Sequence, residues 1–158
     1  MPVLAVNKRA HFDYEVLETF EAGLVLFGHE VKAVKNGQIN LLGSYVVFKK
    51  IVGKVLPEMY LINAHISQYK YASSLGEYNP IRSRKILLKK KEINRLISKM
   101  REVGLTLVPL KIYTNYSFIK LEFALAKGKK KYDKRESIKK RDIERDIRTL
   151  TKSKNYKL

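Results

Sequence analysis

Apolar and polar residues alternate along this chain with two different periods. In "KKKEINRLISKMREVG", Ile93, Leu96, Ile97 and Met100 fall at i, i+3, i+4 and i+7. That is one apolar stripe of a helix. Gly104 suits the left-handed position that ends a helix, so the stretch predicts a helix over about 89–103. In "FIKLEFALA", Ile119, Leu121, Phe123 and Leu125 alternate with Lys120, Glu122, Ala124 and Ala126. That is the period of a half-buried strand. With "LTLVPLKIYT" before it, it reads as a hairpin turning at "NYS".

Other apolar runs are shorter. The stretch "FDYEVLETFEAGLVLFGHEVKAVKNGQINLLGSYVVFKKI" is rich in β-branched and aromatic residues and punctuated by Gly23, Gly28, Gly37 and Gly43. It predicts strands and turns, with room for one short helical turn near Glu18–Ala22. "SYVVFKKIVGKVLPEMYLINAHISQY" predicts a second hairpin, with Gly53 and Lys54 in its turn and Pro57 at an edge or bulge. From Lys70 to Arg84 the periodicity fails. Ser73, Ser74, Gly76, Asn79 and Pro80 mark a loop of about fifteen residues, long for a compact domain.

Five or six short strands need closure to protect their edges. The fold class predicted is mainly β: a small closed antiparallel barrel of OB type with one flanking helix. Residues 1–126 form this domain, and 127–158 form a basic tail. The tail stretch "DKRESIKKRDIERDIR" has Asp133 as a plausible helix cap with Glu136 at N3. Ile143, Ile147 and Leu150 make one thin stripe, and helices of this length are marginal alone in water. The tail is therefore expected to be disordered or loosely helical when free, and helical on an anionic partner.

Charge decides what kind of partner to look for. The 158 residues hold 33 Lys and Arg against 15 Asp and Glu, a net charge of +18. From residue 127 onward there are 14 basic and 5 acidic residues, so a fifth of the chain carries half the excess. Such a field attracts polyanions, nucleic acid first and anionic membrane second. No apolar run approaches the length of a membrane span. The N-terminal stretch has no apolar signal region. Cysteine is absent, which fits a reducing cytoplasm.

No catalytic constellation or cofactor motif stands out. His11, His29 and His65 lack metal-ligand spacing, and His65 reads as a core or barrel-wall residue. Glu15, Glu18 and Glu21 read as a solvated face. Nothing assembles a nucleophile, a base and an orienting group, so the chain reads as a binding protein and not an enzyme.

Three basic clusters remain. "NKRA" supplies Asn7, Lys8 and Arg9, with Phe12 and Tyr14 close behind. "HEVKAVKNGQ" places Glu30 and Lys32 on one face if it is a strand, and "NPIRSRK" does the same for Arg82 and Arg84. Lys and Arg supply phosphate contacts, and nearby aromatics can stack on unpaired bases. Any single tyrosine is better read as barrel wall. Together the clusters favour RNA, and Glu30 could orient Lys32 or accept from a base amino or 2′-hydroxyl group.

These stretches, in order, resemble the SmpB family, the SsrA-binding proteins of bacterial trans-translation. They are "NKRAHFDY", "FEAGLVLFGHEVKAVKNGQINLLGSYV", "NPIRSRKILL" and "AKGKKKYDKRESIKKRD". The resemblance implies an OB-like barrel that binds the tRNA-like domain of transfer-messenger RNA. It also implies a tail that enters the vacant messenger channel of a stalled ribosome, at the 16S rRNA decoding centre. Elongation factor Tu is an indirect partner in the same complex. Carried over by position, the RNA-facing residues are Asn7, Lys8, Arg9, Glu30, Lys32, Arg82 and Arg84. The tail signature is Gly128, Lys129, Lys130, Tyr132, Asp133, Lys134 and Arg135. The chain departs from the family pattern at His29 and Ala33. It also has Tyr132 where many members carry histidine, a ring that stacks but holds no imidazole. The resemblance further implies a monomer in the cytoplasm, without membrane, cofactor or metal. Composition alone fits a structural ribosomal or ribosome-assembly protein equally well.

Overall fold

A computed structural model describes residues 1–72 and 76–154, with side chains to residue 149. Its elements run β1 (Val3–Val6), α1 (Ala10–Asp13), β2 (Tyr14–Leu24), α2 (Gly28–Lys35), β3 (Ile39–Asn40), β4 (Tyr45–Lys49), β5 (Glu58–Ile62), β6 (His65–Ile66), β7 (Arg84–Leu87), α3 (Lys90–Lys99), β8 (Leu105–Asn115), β9 (Phe118–Gly128) and α4 (Lys131–Lys154). The chain divides into two compact units, Met1–Gly128 and Lys129–Leu158. The first is mainly β with short helices, and the second is α4 with its flanks. Strand β9 runs to Gly128, slightly past the boundary expected at 126.

Antiparallel pairing joins β8 to β4, β4 to β5, β5 to β7, β7 to β2 and β2 to β9, and β9 pairs back to β8. β1 adds to the other side of β8, and β3 pairs with β6 as a separate two-stranded ladder. The strands are not all short: β2, β8 and β9 have 11 residues each.

The two predicted hairpins form where expected. β4 and β5 pair from Tyr45 with Ile62 to Lys49 with Glu58, across a turn where Gly53 has φ +82°. The β8–β9 turn holds Tyr116 at φ +52°. Ile119, Leu121, Phe123 and Leu125 enter the core as their alternation requires, and Phe123 stacks on Phe20 at 5.6 Å. The half-buried reading holds only for the first part of β9. Ala124 and Ala126 are also buried, against Ala10 of α1, Val108 and Leu110. Small side chains there let α1 cover the second face.

Three helices begin in the same way. A carboxylate three positions into the helix reaches back to the capping residue's N–H: Glu30 accepts from Phe27 (2.9 Å), Glu92 from Lys89 (3.1 Å) and Asp133 from Lys130 (3.2 Å). This satisfies one otherwise orphaned donor and places negative charge at the positive helix end. It corrects the tail reading. The helix starts at Lys131, so Asp133 is not its cap but the acid in its first turn.

Helix α2 corrects another expectation, the strands and turns that the pattern predicts across residues 28–35. Its end is closed by Gly37 N–H to the Val34 carbonyl and Gln38 N–H to the Ala33 carbonyl, both 2.9 Å. Gly37 has φ +74°, the left-handed geometry of a Schellman cap. The helical turn expected near Glu18–Ala22 is instead part of β2. Ser73 and Ser74 of the long loop lie outside the described residues.

Candidate nucleic-acid interface

The arm and the core meet at a bulge. Proline cannot donate to a ladder, and the β8–β9 register shifts between Pro109 and Lys111. The carbonyls freed on β8 are taken by Asn7. Its backbone N–H donates to Leu110 (2.7 Å), and its side-chain amide donates to Pro109 (3.0 Å) and Leu41 (3.4 Å). Asn7 is thus a buried anchor at 7% exposure, and it presents Lys8 and Arg9 outward. Arg9 lies 3.7 Å from Asp13, an exposed pair of little energetic weight. Lys8 forms no ion pair among the described residues.

The second cluster is built around Glu30. Turning with a helix and not a strand, Glu30 and Lys32 point in different directions. Glu30 has no accessible surface, while Lys32 is exposed, with its ammonium 5.5 Å above the Tyr69 ring. Glu30 receives Arg82 through Nε to Oε1 (2.9 Å) and Nη2 to Oε2. Arg84 Nε and Nη2 both donate to Glu30 Oε1, at 3.0 and 2.9 Å.

Arg84 is fully buried at the start of β7. It also donates to the Ala64, Arg82 and Pro80 carbonyls at 2.6, 3.0 and 2.9 Å. The Tyr78 hydroxyl closes the group, 3.2 Å from Glu30 Oε1 and 3.1 Å from the Ile66 carbonyl. Burial alone would raise the Glu30 carboxyl, but donation from Arg82 and the Phe27 N–H, and the two guanidinium charges, hold it below the ordinary range. It is therefore ionised, one negative charge between two positive ones.

So the expected RNA-facing set separates. Lys8, Arg9 and Lys32 are exposed, and Arg82 is partly so, its guanidinium 3.9 Å over the exposed Phe27 ring. Asn7, Glu30 and Arg84 are inside. The departure residue His29 packs between rings, stacked on Phe27 at 5.6 Å and edge-on to Tyr78 at 5.1 Å. His65, expected in the wall, is exposed, and its neighbour Ile66 is the buried residue of β6.

The glutamates of β2 are not a merely solvated face. Glu18 pairs with Arg95 (2.6 Å) and Lys99 of α3. Glu21 accepts from the Tyr113 hydroxyl and lies 3.4 Å from Lys120. Tyr113 in particular holds the Glu21 carboxyl below its usual range. Glu21 and Lys120 line a polar cavity of about 450 Å³ with Leu87, Lys89 and Glu92. A carboxylate beside ammonium groups there can accept from a base or sugar hydroxyl while the cations meet phosphate. The alternation of charges along β2 and β9 was the signal available for it.

In the second unit, Lys130 caps α4 and Tyr132 is 69% exposed. Asp133 and Arg135 are exposed too, as is Gly128 at the end of the first unit. Ile143 and Ile147 of the thin stripe are each 58% exposed. Among the described residues there is no cluster of potential metal ligands, and no helix is long and apolar enough to cross a membrane.

A mainly β unit with a basic arm, followed by a highly basic helix, is the arrangement of a protein that binds a polyanion. The chain belongs to the SmpB protein family, whose model matches residues 4–153. It is 46% identical over 143 residues to the SsrA-binding protein of Mesoplasma florum, covering 90% of this chain and 92% of that one. The SsrA-binding protein of Thermosipho africanus is 48% identical over 153 residues, covering 96% and 98%. A solved chain described as "tmRNA-SmpB: a journey to the center of the bacterial ribosome" superposes with a TM-score of 0.65 at 42% identity. It covers 87% of this chain and 95% of that chain.

Proposed function

We propose that this chain binds the tRNA-like domain of transfer-messenger RNA and delivers it to stalled ribosomes, where the C-terminal tail reads the empty messenger channel. The observation that carries this reading is the reach of the family match, residues 4–153, which takes in the arm, the Glu30 cluster and the tail signature together. The circuit of paired strands supports an OB-like closed barrel as the body, with 127–158 as the tail. The role is escort and not catalysis, in the cytoplasm, with elongation factor Tu as an indirect partner.

Lys8, Arg9, Lys32 and Arg82 are the residues that meet RNA. Asn7, Glu30 and Arg84 support them from beneath: Asn7 fixes the arm, and the buried pair fixes Arg82 against Phe27. Gly128, Lys129, Lys130, Tyr132, Asp133, Lys134 and Arg135 make the tail's contact with the decoding centre. Tyr132 is exposed, and its ring is suited to stack on a base.

The test compares binding to the tRNA-like domain with binding to a generic hairpin over a salt series. Specific recognition predicts tighter binding of the tRNA-like domain at every salt concentration. Equal affinities weakening in parallel would leave only counterion release and refute the proposal. A chain ending at Gly128 should keep the RNA affinity and lose tagging on stalled ribosomes. Loss of RNA binding on that truncation would move recognition into the tail.

A further inference from the structure

The chain between β6 and β7 turns back beside helix α2. The β3–β6 ladder pairs Ile39 with Ile66, and the next N–H, that of Ser67, donates to the Gln38 carbonyl at 3.1 Å. The stretch from Ser67 is thereby held beside the C-terminal end of α2. Ala72 N–H then donates to the Tyr69 carbonyl at 2.9 Å, closing a four-residue turn with Lys70 and Tyr71 at its corners. We propose that this turn is a stacking platform for one unpaired RNA base, which lies on the Tyr71 ring while its flanking phosphates meet Lys32, Lys35 and Lys70. The proposal rests on the RNA-binding reading above and adds a base contact to it.

The two tyrosines of the turn do different things. Tyr69 packs against the main core, and the Lys32 ammonium stands 5.5 Å above its ring. Tyr71 meets Tyr69 with ring centroids 5.6 Å apart and planes at 62°, near the edge-to-face arrangement that aromatic pairs favour. Tyr71 itself is 79% exposed. A ring left in water adds little to the fold, and every base has a π-face that can cover it. Phe27 is the contrasting case. It is also exposed, but the Arg82 guanidinium already lies over it at 3.9 Å.

Charge selects RNA as the occupant. Lys32 and Lys35 stand three apart on α2 and so share a face. With Lys70 they are exposed, and none of the three forms an ion pair among the described residues. The one carboxylate of α2, Glu30, is buried and committed to Arg82 and Arg84, so it does not offset them. Three ammonium groups around an open ring match a base with a phosphate on either side. A paired helix hides its base faces, so the occupant is a loop, a bulge or an end. Transfer-messenger RNA and ribosomal RNA are both sources of such a base, and the test separates them.

The full chain has no tryptophan, so Tyr71→Trp supplies a single reporter whose emission is quenched when a base stacks on it. That variant is titrated with the tRNA-like domain, with small ribosomal subunits and with a blunt RNA duplex. Emission should fall with the tRNA-like domain or with the subunit and hold with the duplex, and the arm that quenches names the source of the base. On that same RNA, Tyr71→Ala should bind about tenfold more weakly, the order of one lost stacked base. Its salt slope should match wild type, because no phosphate contact is removed. Tyr71→Phe, which keeps the ring, should bind as wild type does. The proposal is overturned by an emission that neither RNA arm quenches, or by equal quenching with the duplex. Wild-type affinity of Tyr71→Ala for both RNAs, or a Tyr71→Phe loss as large as that of Tyr71→Ala, overturns it as well. Equal wild-type binding to the tRNA-like domain and a generic hairpin would sink the underlying reading instead. Quenching by the hairpin loop together with the Tyr71→Ala loss would then still support the platform, and the lack of either would overturn it.

Discussion

Glu30 and Arg84 stand 54 residues apart in the chain and share one buried contact, with two guanidinium nitrogens of Arg84 on a single carboxylate oxygen of Glu30. Neither has accessible surface. Helix α2 is thereby tied to the start of β7, and the carbonyls of Ala64 and Pro80 are gathered on the same guanidinium. Removing one partner leaves an uncompensated buried charge. Glu30→Gln or Arg84→Met should each cost about 3–5 kcal/mol in urea unfolding. A Glu30→Gln/Arg84→Met double variant should fall well short of the sum of the two. Single losses under about 1 kcal/mol, against that range, would show that the contact is not the tie described.

Acid sensitivity should centre on Glu58. Hydrogen bonds from Lys54, Lys85 and Tyr60 hold its carboxyl down to about 2. A folded value depressed below the unfolded one stabilises the fold above the unfolded value, near 4.3. That stability is lost as pH falls towards 2. Glu58→Gln should lower the urea midpoint at pH 7 and match wild type near pH 2. An equal deficit at both pH values would assign the effect to packing.

The exposed cations should show themselves in a salt series. Lys8→Gln and Lys32→Gln should weaken RNA binding without regard to sequence, each reducing the slope of log affinity against log salt by about 1. A loss confined to the tRNA-like domain, with the slope intact, would make either one a base-reading residue.

The tail helix should be marginal alone. A 127–158 peptide should show weak helical circular dichroism in plain buffer, since isolated helices gain little without tertiary packing, and more in the presence of RNA. Asp133→Ala should lower it further by removing the hydrogen bond to the Lys130 N–H. A strongly helical free peptide would contradict folding on binding.

Leu96 carries the α3 stripe into the core with no exposure. Leu96→Ala should cost about 2–5 kcal/mol, measured by denaturant unfolding, whereas Arg95→Ala on the outer face should cost about 1 kcal/mol or less.

Much of the local structure was legible because local patterns specify it. The stripe from Ile93 to Met100 made α3, although the α-helix stops at Lys99 with Met100 as cap and Gly104 is left-handed beyond it. Alternation on β9 and the turns at Gly53 and Tyr116 made the two hairpins. Helix α2 was missed because Val31 and Val34 suggested strand, while its true signals were Glu30 at the third position and Gly37 beyond the end. At β7 the alternation of Arg82 and Arg84 suggests two cations facing one partner, and it does not tell that Arg84 begins the strand as a buried residue.

By itself, the sequence determined the family and the charge that draws a polyanion. Net charge, its concentration after residue 127 and the ordered motifs are properties of the chain and survive any folding. Only the tertiary structure decided which motif residues meet solvent. Glu30 and Arg84 look as available as Lys32 and Arg82 until α2 turns one carboxylate inward and β7 brings a guanidinium to meet it. Asn7 looks like part of a basic arm until a proline bulge on β8 offers it two carbonyls. Burial and pairing depend on residues far away in sequence, so no local pattern records them.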